Sequence, residues 1–112
     1  MRFDRELLKG TTETFLLAAL AESPCHGYQL VEQLKRRSDG IFELGEGTVY
    51  PLLYKLEAKG WIKGQWDSDT ALRRRRVYRI TPRGRRQLAQ RTRQWEELVR
   101  GMTLILKGAA HA

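Results

Sequence analysis

Cysteine is nearly missing from this chain of 112 residues: Cys25 stands alone. An intramolecular disulfide framework is therefore excluded, and the composition suits a reducing compartment. Long hydrophobic runs are missing as well. The longest, Phe15 to Ala21, is far short of the roughly 20 apolar residues that span a membrane. Met1 to Lys9 is charged and lacks the apolar stretch and cleavage site of a secretory signal. The expectation is a cytoplasmic protein with no membrane association. Cys25 and His26 are adjacent, but no second ligand cluster answers them, and the other histidine, His111, lies in a tail. That is poor zinc spacing, so they read as a packing cysteine and a turn histidine. Asp67 and Asp69 fall in a turn. With no Ser/His/Asp arrangement and no phosphate-binding glycine loop, the expectation is no enzyme, no metal and no cofactor.

Acids are the other deficit. Thirteen Asp and Glu face 21 Lys and Arg, for a net charge of +8 and a pI near 10.2. Such a balance points to a polyanionic partner, either nucleic acid or an acidic membrane surface. From Arg73 through Arg93 every charged residue is an arginine.

What is present is organised around Gly45 to Gly60. Val49, Leu52, Leu53 and Leu56 fall at i, i+3, i+4 and i+7, one apolar face of a helix. Its other side carries Gly47, Thr48, Tyr50, Pro51, Tyr54 and Lys55, without a carboxylate, which suits a major groove. Proline is tolerated only in the first turn of a helix, so Thr48 is the expected N-cap, and an earlier start would demand a kink at Pro51. Gly60 is the expected stop. Before this stretch, a helix capped by Thr11 or Thr12 runs to Glu22. It is apolar round so much of its girth that it should form the centre of the core. A turn at Ser23–Gly27 leads to a helix from Tyr28 to Arg37. After Gly60, Trp61 to Trp66 and Arg73 to Ile80 read as two strands of a hairpin with an arginine-rich tip. Thr81 and Pro82 form an N-cap and first-turn pair for one long helix to about Leu106.

Three short helices followed by a hairpin have the order of a winged helix-turn-helix. The fold class is mostly α with a small β-hairpin (α+β), carrying a long C-terminal helix. Residues 1–80 would be the DNA-binding domain and 81–112 a dimerisation helix and tail. Double-stranded DNA is the expected partner. Tyr28, Thr48, Tyr50, Pro51, Tyr54 and Lys55 are the candidate contacts, with Arg73, Arg74, Arg75 and Arg76 on the wing. Because a strand alternates its faces, about two of those four arginines can face the duplex. Along the last helix Leu88, Trp95 and Met102 are spaced by sevens, with Leu98 and Ile105 interleaved and Val99 and Leu106 widening the stripe. A stripe running beyond a small core asks for a second copy. Trp95 reads either as a knob in that dimer seam or, with Phe15, Leu98 and Met102, as the wall of a cleft where a flat ligand stacks. A basic RNA-binding or membrane-surface module, or a winged helix turned to protein partners, remains the alternative.

His26-Gly27-Tyr28, then Gly47-Thr48-Val49-Tyr50-Pro51, Leu53, Leu56-Glu57, Gly60 and Ile62 resemble the PadR-like transcriptional regulators. So do Arg75-Arg76-Val77-Tyr78-Arg79-Ile80-Thr81 and Gly84, which are similar to that family's wing strand and the entry to its last helix. The likeness runs from about Leu7 to Leu106. Val77 departs from it, standing where an aromatic is common, and so does Cys25, where a larger apolar residue is frequent. The resemblance implies a homodimeric repressor on a palindromic operator, one that answers small aromatic effectors. The single last helix is similar to the family's compact branch.

Overall fold

A computed structural model describes residues 10–67 and 75–110 of the chain. Four helices and three strands follow in the order α1 (Thr11–Glu22), β1 (Cys25–His26), α2 (Gly27–Arg37), α3 (Glu46–Ala58), β2 (Ile62–Asp67), β3 (Arg75–Ile80) and α4 (Pro82–Ala110). Leu16, Leu17, Ala19 and Leu20 of α1 are all but sealed from solvent, and α2, α3, β3 and α4 each pack against that helix. Burial of each such leucine contributes about 1.5–3 kcal/mol. The inner face of α3 supplies Val49, Leu53 and Leu56, and α2 supplies Leu30 and Leu34.

Local chemistry fixes the ends of these elements. Helix α1 starts one turn residue earlier than the threonines suggest: Gly10, at φ 79°, is its N-cap and Thr11 its first helical residue. At the start of α2, His26 and Gln29 form a reciprocal capping box. The Gln29 side-chain oxygen accepts from the His26 backbone N–H at 2.8 Å. Helix α3 begins at Glu46, capped by Gly45, and continues past Pro51 to Ala58. Thr48 is therefore not its cap. Proline cannot donate to the carbonyl four residues back, but that residue, Gly47, is exposed, so solvent can satisfy it. At the other end Gly60, at φ 76°, donates to the Glu57 carbonyl while Trp61 donates to that of Leu56, at 3.0 and 3.1 Å. This paired arrangement is the Schellman stop that a left-handed glycine permits.

The expected two-stranded hairpin is a three-stranded antiparallel sheet in the order β1-β3-β2. Cys25 pairs with Tyr78 and His26 with Val77, so the segment read as a turn also closes the far edge of β3. Cys25 is buried in the core, and burial pushes its thiol up to about 11, well away from reactive thiolate.

The sheet is locked to α4 at one point. The Thr81 hydroxyl donates to the Gly60 carbonyl at 2.7 Å and accepts from the Gly84 N–H at 3.1 Å, making it the N-cap of α4. Gly84 is buried, and a Cβ there would collide with the Trp61 carbonyl oxygen and press on Ile80. Backbone cannot yield as a side chain would. Gly84→Ala should therefore lower stability by about 1–3 kcal/mol, measured as a shift in the urea midpoint at unchanged slope.

Candidate nucleic-acid interface

The N-terminal parts of α2 and α3 and the loop-side ends of β2 and β3 meet at one concavity of about 540 Å³. His26, Tyr28, Glu46, Tyr50, Tyr54, Trp66, Arg75, Arg76 and Tyr78 are among the residues around it. Tyr50 is half-buried, and its ring packs so closely on Gly27 that a Cβ there would lie 2.6 Å from Cε1. Burial, then the nearby Glu46 carboxylate, raises the pKa of the Tyr50 hydroxyl. Tyr50 is thus chiefly the wedge between α2 and α3. Thr48, Pro51, Tyr54 and Lys55 all stand on the exposed side of α3, and Tyr54 is 59% exposed. Glu46 adds a carboxylate that the outer face of α3 was expected to lack. It occupies the first turn of the helix, where a negative charge suits the helix dipole.

The wing arginines separate as strand alternation requires. Arg75 is exposed. It donates to the Tyr28 hydroxyl at 2.8 Å and sits 5.0 Å from that ring, while His26 stacks on Tyr28 with ring centroids 5.7 Å apart. Arg76 turns the other way. Its Nη2 lies 2.5 Å from Oε2 of Glu57, and the same carboxylate oxygen accepts from the Gly64 N–H at 3.1 Å. Arg76 also lies 5.6 Å from the Trp66 ring and 5.9 Å from that of Tyr78. Arg76, one of the expected DNA contacts, ties the hairpin to α3 through its pair with Glu57, because the next position along a strand faces the opposite side. Arg73 and Arg74 lie outside the described residues.

Lys55 is half-exposed and pairs with Glu13 of α1 at 3.3 Å. Lys59 and Arg91 reach the same carboxylate at 3.4 and 3.7 Å. Glu13 is only 7% exposed. Burial raises its pKa, but the Lys55 hydrogen bond and the charges of Lys59, Lys55 and Arg91 outweigh that, and the net shift is downward. Sequence reading misses this cluster because its members are scattered through three helices. Trp66, 59% exposed beside the concavity, is also missed as a surface feature.

The candidate dimer stripe divides in two. Leu88 packs on the chain's own core, whereas Trp95, Leu98, Val99, Met102, Ile105 and Leu106 are exposed, Leu98 by 60%. Phe15, Trp95 and Leu98 line one groove of about 700 Å³, together with Thr11, Thr14, Ala18 and Arg91. Met102 is not among its lining residues.

Helices α1 to α3 followed by the β2–β3 hairpin, with an exposed tyrosine and arginine cluster on one side, define the class: a winged helix-turn-helix DNA-binding regulator. The model of the transcriptional regulator PadR-like family matches residues 16–90. The chain is 35% identical over 107 residues to transcriptional regulator Rv3488 of Mycobacterium tuberculosis, covering 96% of this chain and 94% of that one. Among solved structures, a transcriptional regulator from Clostridium thermocellum superposes with a TM-score of 0.82 at 27% identity, covering 91% of this chain and 96% of its own. A PadR family transcriptional regulator from Eggerthella lenta does so with a TM-score of 0.77 at 35% identity, covering 90% and 86%. The chain belongs to the PadR-like family of transcriptional regulators, which are DNA-binding regulators and not enzymes. Among the described residues no helix is long and apolar enough to cross a membrane.

The two neighbouring arginines should behave differently on substitution. Arg76→Ala strips Glu57 of its charged partner and should destabilise the fold by about 1–3 kcal/mol. Arg75→Ala, on the surface, should stay within about 0.5 kcal/mol of the parent. Chemical denaturation of the two variants checks the split.

Proposed function

We propose that this regulator is a homodimeric repressor acting in the cytoplasm, with α3 in the major groove of each half of a palindromic operator and the arginine hairpin on adjacent DNA. Residues 1–80 carry the DNA contacts and residues 81–112 the dimer contact. The observation that supports the reading is the exposed side of α3, with Thr48, Pro51, Tyr54 and Lys55, beside the concavity where Tyr54 and the Tyr28–Arg75 pair come together. Hydroxyls and a cation on one groove-sized helix face, with an arginine beside it, answer base edges and phosphates together. Tyr28, Thr48, Tyr54, Lys55 and Arg75 are the direct contacts, Tyr50 and Pro51 shape the helix that presents them, and Arg73 and Arg74 extend the basic tip.

The exposed stripe from Trp95 to Leu106 supports the dimer, since monomers rarely leave so continuous an apolar face in water. The groove lined by Phe15, Trp95 and Leu98 supports a flat aromatic effector there, with Met102 brought in across the dimer. Binding of such a ligand would release the operator by shifting the spacing of the two α3 helices, which must match about one helical turn of DNA.

Lys55→Ala and Arg75→Ala should each weaken binding to a palindromic duplex. Each should also flatten the slope of log affinity against log salt by about one unit for every phosphate left unneutralised, read by fluorescence anisotropy. Unchanged slopes in both variants would sink the groove-and-wing assignment. Leu98→Arg should turn the dimer into monomer in sedimentation velocity and cut operator affinity by at least about tenfold, because two half-sites then bind independently. A Leu98→Arg chain that remains dimeric would rule out α4 as the seam.

A further inference from the structure

We propose that Glu13 of α1 is a positioning residue for DNA recognition, which restrains Lys55 and lowers the chain's affinity for non-operator DNA. The inference rests on the reading of α3 as the recognition helix. Glu13 is the one carboxylate buried among the described residues. Its Oε1 lies 3.3 Å from Lys55 Nζ, its Oε2 3.4 Å from Lys59 Nζ, and Arg91 Nη1 of α4 completes the ring at 3.7 Å. A buried carboxylate so surrounded does not swing out to follow its partners, because leaving the cations would cost it both charge and hydrogen bonding. The most exposed member is Lys55, whose side chain is 56% open to solvent, against 35% for Lys59 and 24% for Arg91. Held by Glu13, its ammonium lies on the α1 flank of α3, where it meets a phosphate only when the helix is seated at the right depth in the groove. Lys59 and Arg91 are anchored further, each set against the Trp61 ring at 4.4 and 5.0 Å.

Two effects follow from one negative charge placed here. It repels any nearby phosphate, and it removes the freedom by which a lysine would grip backbone in any register. Both weaken sequence-independent binding, which is electrostatic, more than operator binding, where base contacts fix the seat of the helix. The carboxylate therefore raises the ratio of operator to non-operator affinity.

Glu13→Gln keeps the shape and removes the charge. In anisotropy titrations it should bind a non-operator duplex at least about threefold more tightly than the parent. Its operator affinity should rise less, and adding Lys55→Met should abolish the gain. A merely structural glutamate would give the opposite result, since a loosened fold loses affinity for both duplexes. A DNA-free measurement stands beside this one. The Glu13 carboxyl, followed by carbon-13 NMR, should titrate below the ordinary glutamate range in the parent and in Lys55→Arg, and move upward in Lys55→Met. An unmoved titration in Lys55→Met overturns the inference even if Glu13→Gln fails to fold. So does a folded Glu13→Gln chain with unchanged non-operator affinity. If the parent binds no duplex while the titration behaves as described, the recognition-helix reading itself fails and takes the inference with it.

Discussion

The constraint on which the rest of the structure depends is the girth of α1. Leu16, Leu17, Ala19 and Leu20 make one wide face of the helix and all are sealed. A helix with so wide a buried face must be packed against on several sides, while its other side, with Thr11, Thr14, Phe15 and Ala18, stays half-exposed along the groove beside α4. Helices α2, α3 and α4 and strand β3 do the wrapping. The proposed recognition helix α3 and the proposed dimer helix α4 are therefore both referenced to one buried rod. The charged group this rod carries inward, Glu13, is met by cations from α3, its C-cap and α4, so its electrostatics and its packing connect the same partners.

Helix α4 shows what happens when a helix outruns its core. Its 29 residues extend about 43 Å at 1.5 Å per residue, and the molecule measures 63 Å along its longest axis against 29 and 21 Å across. Near its start Thr81 and Gly84 clamp it to the turn after α3, and Leu88 reaches the core. From Trp95 onward its apolar residues stand in the open. The two halves differ in composition for that reason: the cationic half has its own domain to lean on, and the apolar half has not.

Helical period makes the inner face of α3 and the girth of α1 legible from sequence, because a repeating pattern over a dozen residues overrides local ambiguity. Glycine and threonine chemistry likewise places Gly60 and Thr81 correctly. Strand β1 escapes because two residues, Cys25 and His26, are too few to display alternation. Pro51, taken as a first-turn residue, puts the start of α3 too late. An exposed glycine four positions earlier lets the helix continue through it. The contacts Glu57–Arg76 and Glu13–Lys55 are invisible for a different reason. They join residues 19 and 42 positions apart, and no local pattern records which distant charge a side chain will meet.

Those distant pairings change what a basic composition means. A net charge of +8 suggests a surface uniformly ready for polyanions. In the folded chain two carboxylates, Glu13 and Glu57, hold Lys55, Lys59, Arg91 and Arg76 between them. Among the described residues Arg75 meets a hydroxyl and a ring. A neutral partner of this kind orients the guanidinium without cancelling its charge. Neighbours in sequence, Arg75 and Arg76 thus differ in kind: one holds the hairpin on α3, and the other carries positive charge to the surface, Arg76 being the tie and Arg75 the carrier. The arginine run is informative less through its length than through the alternation that assigns its members to opposite sides.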